Sequence, residues 1–262
     1  GLPFVSHGPR PTRREALEYY RRVAQQHKLR IRTYEKAEQV LREPRGGFRI
    51  VSEKGEYEAG FVIVATGFYD HPQPLGVPGE ELPKVLHYFD DPHRYAHTRV
   101  AVVGAANSAV DAALETWRKG AEVTMIVRSS EISPRVKYWV RPDIENRIRE
   151  GSIRALFHSQ LRAIFPDRIE VDTPEGLQAL DNDFVLAMTG FRPDYQWLES
   201  AGLQFSDDAW RMPLRNEASF ESNVPGIFLA GTICGGMHTS KWFIENSIEH
   251  AAAVMEEIRG RI

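Results

Sequence analysis

An α/β fold with parallel sheets, built as two related domains with one inserted into the other, is what the sequence predicts. Three observations predict it. Short apolar runs alternate with amphipathic segments, a glycine turn joins one such run to a helical segment, and one hairpin-plus-strand pattern occurs twice.

The elements follow in order. After a proline-rich opening (Pro3, Pro9, Pro11), Thr12-Arg13-Arg14-Glu15 fits a capping box with Thr12 as N-cap. Ala16, Leu17, Tyr20, Val23 and Ala24 share one face of the helix that continues to about residue 27, which predicts packing against a sheet. Strands are predicted at residues 29–34, 37–41 and 48–51, and again at 61–65, where an uninterrupted apolar run predicts burial on both faces. Residues 67–92 repeat proline and glycine without helical period and read as a linker. A βαβ unit follows: strand 100–103, helix 107–119, strand 122–127. Beyond it come a helix at 141–150 and strands at 153–157, 160–165, 169–171 and 184–188. Strand 226–230 then leads through a glycine-rich loop into a helix from about residue 239 to 258.

The repeat decides the architecture. Phe48-Arg-Ile-Val, a turn, and a strand ending in Ala65-Thr66-Gly67-Phe68 are echoed by Arg168-Ile-Glu-Val, a turn, and a strand ending in Met188-Thr189-Gly190-Phe191. Each copy is followed by a proline, Pro72 and Pro193. Two related domains are therefore expected, one from residues 1–93 with 216–262, the other from 94–215.

Composition narrows the function. The 262 residues are 42% hydrophobic and 26% charged, with 33 Lys and Arg against 36 Asp and Glu, so the basic surplus that nucleic-acid binding needs is missing. Apolar runs fall far short of the ~20 residues of a membrane span. Cys234 is the one cysteine; it excludes an intrachain disulfide and a CxxC redox pair, and this usage predicts a reducing, cytoplasmic compartment.

The sharpest motif is Gly104-Ala105-Ala106-Asn107-Ser108-Ala109 after the strand at 100–103. A glycine at a strand end turns the chain tightly, a small residue two on lets a pyrophosphate approach the backbone, and a small residue five on lets helix and strand pack closely. With a strand before it and a helix after it, this G-x-A-x-x-A turn reads as a dinucleotide site. Arg128 follows Gly104 by 24 residues and is succeeded by Ser129, Arg135 and Lys137. An acidic residue near that place would favour NAD, whereas arginine accommodates the 2′-phosphate of NADPH. A second glycine-rich loop, Gly231-Thr232-Ile-Cys-Gly-Gly-Met-His238, again joins a strand to a helix and suits an anion or a flat ligand such as a flavin. Weaker signals are the spaced His93 and His97, Cys234 in the second loop, and four tryptophans; these read respectively as linker polarity, a small buried residue, and core or interface. No metal site is expected.

Taken together, GAANSAVDAALETWRKGAEVTMIVR, the paired ATG and MTG segments, and GIFLAGTICGGMHTSKWFIEN resemble the flavoprotein reductases with two dinucleotide-binding, Rossmann-like domains. The resemblance is greatest to the single-cysteine bacillithiol disulfide reductase branch related to thioredoxin reductase, and the opening through Lys36 resembles that branch as well. It implies NADPH and FAD as cofactors and a low-molecular-weight thiol disulfide as substrate. Thr66, Gly67, Gly190, Gly231, Thr232 and His238 would then face the cofactors. Such reductases usually carry Asp where this chain has Thr232. The strand, glycine turn and helix that hold the ADP half of FAD, and the family's redox cysteine within them, are not found in these 262 residues; weak or no FAD binding is the expectation and the catalytic residue stays unassigned. A flavin monooxygenase and a catalytically silent NADPH-binding module are the alternatives. The oligomeric state, homo-oligomer included, is left open.

Overall fold

The computed structural model describes residues 2–8 and 11–262; Pro9 of the proline-rich opening lies outside them. Contacts divide the chain into two compact units, one reaching to Val62 and including Trp197–Gly202, the other formed by Ile63–Gln196 and Leu203–Ile262.

The first unit opens with α1 (Arg13–Gln26). Its capping box is as expected: the Thr12 hydroxyl accepts from the Glu15 amide, and the Glu15 carboxylate accepts from the Thr12 amide at 2.6 Å. Its apolar face departs from expectation, because no residue of α1 is buried and Leu17 and Tyr20 are 52% and 49% exposed. Helical spacing specifies an apolar stripe; it does not supply a cover. Residues 29–34 form no strand. Lys28 and Tyr34 at either end adopt left-handed backbone conformations that break an extended run.

β1 (Ala37–Arg42), β2 (Phe48–Ser52) and β3 (Gly55–Ala59) then make an antiparallel meander in that order. β2 therefore pairs with β3 and not with the apolar strand beyond it. β3 gave no apolar signal, since Gly-Glu-Tyr-Glu-Ala is a polar edge. β4 (Val62–Val64) is shorter than expected and buries only Val64 fully, with Ile63 44% exposed. It pairs with β13 alone among the described residues, and the exposure of Ile63 leaves one face open in a run that reads as doubly buried.

The second unit holds a five-stranded sheet of order β5-β12-β6-β7-β8, in which every pairing is parallel. Its strands are β5 (Val85–Leu86), within the linker, β6 (Arg99–Val103), β7 (Glu122–Ile126), β8 (Arg154–Leu156) and, later in the chain, β12 (Phe184–Ala187). Between them run α2 (Asn107–Arg118) and α3 (Arg141–Arg149). α2 buries Ala109, Val110, Ala112, Ala113 and Leu114 in one core with Val100, Val102, Met125 and Leu186. A second meander, β9 (Gln160–Ile164), β10 (Arg168–Thr173) and β11 (Gly176–Asp181), packs Leu161, Ile169 and Val171 with Ala101, Ile126 and Val185 of that sheet. As in the first copy, β10 pairs with β11 rather than with β12. The repeat is thus a three-stranded meander followed by a separate strand ending in Thr-Gly-Phe. After α4 (Tyr195–Ser200) the chain reaches β13 (Ile227–Leu229), a tight turn at Gly231–Gly235, and α5 (Ile244–Arg259). α5 starts five residues later than the sequence suggests, because the Asn246 side chain accepts from the Phe243 amide at 2.6 Å and fixes the first turn there.

One ion pair ties β6 to the start of β12. Asp183 takes both the side chain and the amide of Arg99, at 2.8 to 3.0 Å, which holds its carboxyl at about 2. The unfolded chain binds a proton near the usual aspartate value of about 3.9, so the pair's stabilisation is present above that pH and is lost as pH falls toward 2. Because both side chains are partly exposed, Asp183→Asn is expected to cost only about 1 kcal/mol at pH 7. Urea unfolding should show this difference at pH 7 and none at the acid end.

Candidate functional site

The strand order places the site. β6 is followed by α2 and β7 on one side, while its other neighbour, β12, arrives from much later in the chain, so the order reverses between β6 and β12. In open parallel sheets, ligands bind outside the carboxyl ends of the strands at such a switch point. Gly104 follows β6 there, and Thr189 and Gly190 follow β12.

The Gly104 turn is set by sterics. Its φ is +132°, and a Cβ on it would lie 2.6 Å from the Met188 carbonyl oxygen and 3.2 Å from the Ala109 Cβ. Only glycine lets the chain pass between β12 and α2. The Gly104 amide donates to the Ile126 carbonyl, which fixes the turn to β7. Ala106 is the N-cap of α2 and offers no side-chain cap, while Ala106 and Ser108 are exposed. The first-turn amides of a twelve-residue helix therefore face outward where a pyrophosphate would sit.

Asn107 has a different task from the one the motif suggests. Its side chain donates to the Arg135 carbonyl (3.2 Å) and accepts from the Lys137 amide (2.9 Å), and the Ser133 amide donates to the Ala105 carbonyl. The segment carrying Arg135 and Lys137 is thereby clasped to the glycine turn. Ile132 and Val136 anchor it in the core, leaving Arg135 and Lys137 exposed beside the turn. Lys137 also pairs with Asp111 at 3.2 Å, a partner with no motif to announce it. Arg128 stands exposed just past β7 and lines a cavity of about 380 Å³ with Gln73, Val103, Gln160 and Thr189. Ser129 donates to the Glu131 carbonyl, so its hydroxyl proton is used within its own loop. Gln73 closes the other wall: its amide donates to the Gly190 carbonyl, and its own carbonyl accepts from Thr189.

The second glycine loop lies elsewhere in the same unit. The Ala230 amide donates to the Val64 carbonyl, bringing the ends of β4 and β13 together. A Cβ on Gly67, whose φ is +67°, would come within 3.2 Å of the Thr232 hydroxyl. The ends of β4 and β13 thus bring Gly67 and Thr232 side by side, with Thr66 and Gly231 next to them in the chain. His238 stands in the turn before α5 and stacks on Trp210 with centroids 4.4 Å apart. His250, which no motif singled out, accepts the Gly231 amide from beneath. These glycines suit a flat ligand at the strand ends, and the first-turn amides of α2 suit a phosphate; the residues present fit a flavin and NADPH respectively.

Cys234 lies in this loop, fully buried, and burial pushes its thiol up to about 11. Its carbonyl is held by Arg215 at 2.9 Å. It has the surroundings of a structural thiol. Native chain is expected to react with dithionitrobenzoate at neutral pH at least about a hundredfold more slowly than chain unfolded in urea, a ratio read directly from absorbance. Among the described residues no group of three His, Cys, Asp or Glu could hold a metal ion, and no helix is long and apolar enough to cross a membrane.

A glycine turn at the switch point of a parallel sheet, beside a cluster of cations, is the geometry of a nucleotide-binding α/β protein. The chain belongs to the pyridine nucleotide-disulphide oxidoreductase family, whose model matches residues 1–231, and this is a family of FAD- and NADPH-dependent enzymes. It is 40% identical over 261 residues to bacilliredoxin reductase Bdr of Bacillus subtilis (strain 168), covering 99% of this chain and 80% of that one. The bacillithiol disulfide reductase Bdr (YpdA) from Bacillus cereus superposes with a TM-score of 0.95 at 36% identity, covering 100% of this chain and 82% of that one. Its counterpart from Staphylococcus aureus gives 0.94 at 33%, with 99% and 80% covered.

Proposed function

We propose that the chain is an NADPH-dependent flavoprotein disulfide reductase whose substrate is a low-molecular-weight thiol disulfide of the bacillithiol type. The observation that carries this reading is the Gly104 turn with Arg128 beside it at the sheet's switch point, in a chain similar along its length to bacillithiol disulfide reductases. The proposed organisation is a nucleotide domain at 94–215 within a flavin domain formed by 1–93 and 216–262. Residues 104–109 cradle the pyrophosphate, and Arg128, Arg135 and Lys137 gather around the 2′-phosphate, with Ser129 beside them shaping the loop through its bond to Glu131. Thr66, Gly67, Gly190, Gly231, Thr232 and His238 line the flavin and nicotinamide side. When bound, the two cofactors supply hydride and electron transfer; the protein positions them and tunes their electronics.

The B. subtilis relative's name, bacilliredoxin reductase, favours a second reading, in which the disulfide is carried by a small protein. NADPH oxidation measured with bacillithiol disulfide, oxidised bacilliredoxin and oxidised thioredoxin separates the two. The small disulfide is expected to be the best acceptor. A clear preference for either protein overturns that choice of substrate.

A further inference from the structure

Gly231 opens the loop after β13, and its amide donates to Nδ1 of His250 at 3.1 Å. His250 is 1% exposed and lies between two rings, Phe220 at 4.1 Å between centroids and Trp242, edge-on, at 4.4 Å. Because Nδ1 accepts, the single proton of the neutral ring is on Nε2. Among the described residues buried Nε2 has no hydrogen-bond partner, nor has Nε1 of the neighbouring Trp242. Among them, the one polar anchor of this imidazole is therefore the Gly231 amide. Gly231 precedes Thr232, whose hydroxyl faces Gly67, so this bond sets the backbone where the ends of β4 and β13 meet.

We propose that His250 is the positioning residue of the Gly231–Gly235 loop, its neutral ring ordering the loop for a flavin and its protonation releasing it. The proposal rests on the flavin reading above. Protonated imidazole has no lone pair on Nδ1 and cannot accept from Gly231. Burial opposes that proton, and so does Arg215 from the facing loop, whereas Glu249 on α5 and Glu217 favour it; the histidine is accordingly held below its ordinary range. Unfolded chain binds the proton near pH 6.5, so the stabilisation is full above that value and declines as the pH falls below it.

The test uses the 262-residue chain with two substitutions. His250→Phe keeps a ring between Phe220 and Trp242 but removes the acceptor, and His250→Asn places an oxygen near the position of Nδ1. Hydrogen exchange followed without added flavin is expected to show a Gly231 amide protected at pH 8 and about tenfold less so at pH 5 in the wild type. In His250→Phe that amide should be unprotected throughout, and in His250→Asn protected with no dependence on pH. Titration with FAD should give a Kd about tenfold higher for His250→Phe and largely recovered for His250→Asn. Wild-type protection of Gly231 in His250→Phe, or an unchanged Kd for FAD, overturns the proposal. Because the segment that holds the ADP half of FAD is not found in these 262 residues, a wild-type chain that binds no FAD leaves the decision to amide exchange, where wild-type protection of Gly231 in His250→Phe overturns the proposal. Should His250→Phe fail to fold, nitrogen chemical shifts of the wild-type ring decide: an Nε2–H tautomer supports the proposal and an Nδ1–H tautomer overturns it.

Discussion

Gly104→Ala is expected to weaken NADPH binding at least about a hundredfold and to lower the thermal midpoint by several degrees. Two penalties combine. A φ of +132° is a region that residues with a Cβ rarely adopt, at a cost of about 1–3 kcal/mol, and the added methyl would lie 2.6 Å from a backbone carbonyl that has no rotamer through which to yield. Relief requires the turn or the end of β12 to move, and either motion displaces the amides of α2 from the pyrophosphate. Gly190→Ala is the informative comparison. Its φ of +91° is strained too, but no atom lies within 4 Å of the place its methyl would occupy, so only the backbone penalty applies and the smaller loss is expected. Calorimetric titration with NADPH and thermal unfolding of both variants check this. Wild-type affinity in Gly104→Ala would remove the turn from the binding site.

Wild-type chain is expected to bind NADPH at least about tenfold more tightly than NADH, and Arg128→Asp to erase or reverse the preference. Arg128 stands past the end of β7, next to β6 and its glycine turn, where the adenosine ribose of a nucleotide held by that turn would fall. Charge-assisted bonds to a 2′-phosphate exceed those to a hydroxyl and are worth about 1.5–3 kcal/mol each. An aspartate repels the phosphate and accepts from the hydroxyl of NADH instead. Arg135 and Lys137 remain on their clasped segment in the variant, so a residual NADPH affinity above that of a double Arg128→Asp, Arg135→Ala protein is also expected. Equal affinities of the wild type for the two nucleotides would remove Arg128 from this role.

The parts of the site that were legible in the sequence share one property: they are local. A strand, a glycine turn and a helix within residues 99–118 carry their own geometry, and so does the end of β7 that presents Arg128. Residues that matter through distant partners gave no such signal. Asn107 reads as one position of the turn, yet its amide group spends its bonds on Arg135 and Lys137, about thirty positions on. Gln73 sits among linker prolines and becomes a wall of the cleft only because Gly190 and Thr189 come to it across more than a hundred residues. His250 is one polar residue in an amphipathic helix, and its link to Gly231 exists only after α5 folds back under β13.

The same division runs through the fold. By itself the sequence determined the α/β class, the capping box at Thr12, the βαβ unit, the duplicated strand ending in Thr-Gly-Phe, and the need for glycine at position 104, since each follows from side-chain period, turn stereochemistry or hydrogen bonds spanning a few residues. Tertiary structure decided which strand pairs with which. Each copy reads as a hairpin feeding an apolar strand, and so it folds, but the polar second arms β3 and β11 carried no apolar signal and the sheet each apolar strand would join was not legible, because an antiparallel neighbour is selected by turn geometry while a buried strand is claimed by whichever sheet can cover it. Burial followed the same logic: the stripe on α1 and the run at β4 were read correctly as apolar, but how much of an apolar surface is covered depends on partners far away in the chain, and no local period encodes them.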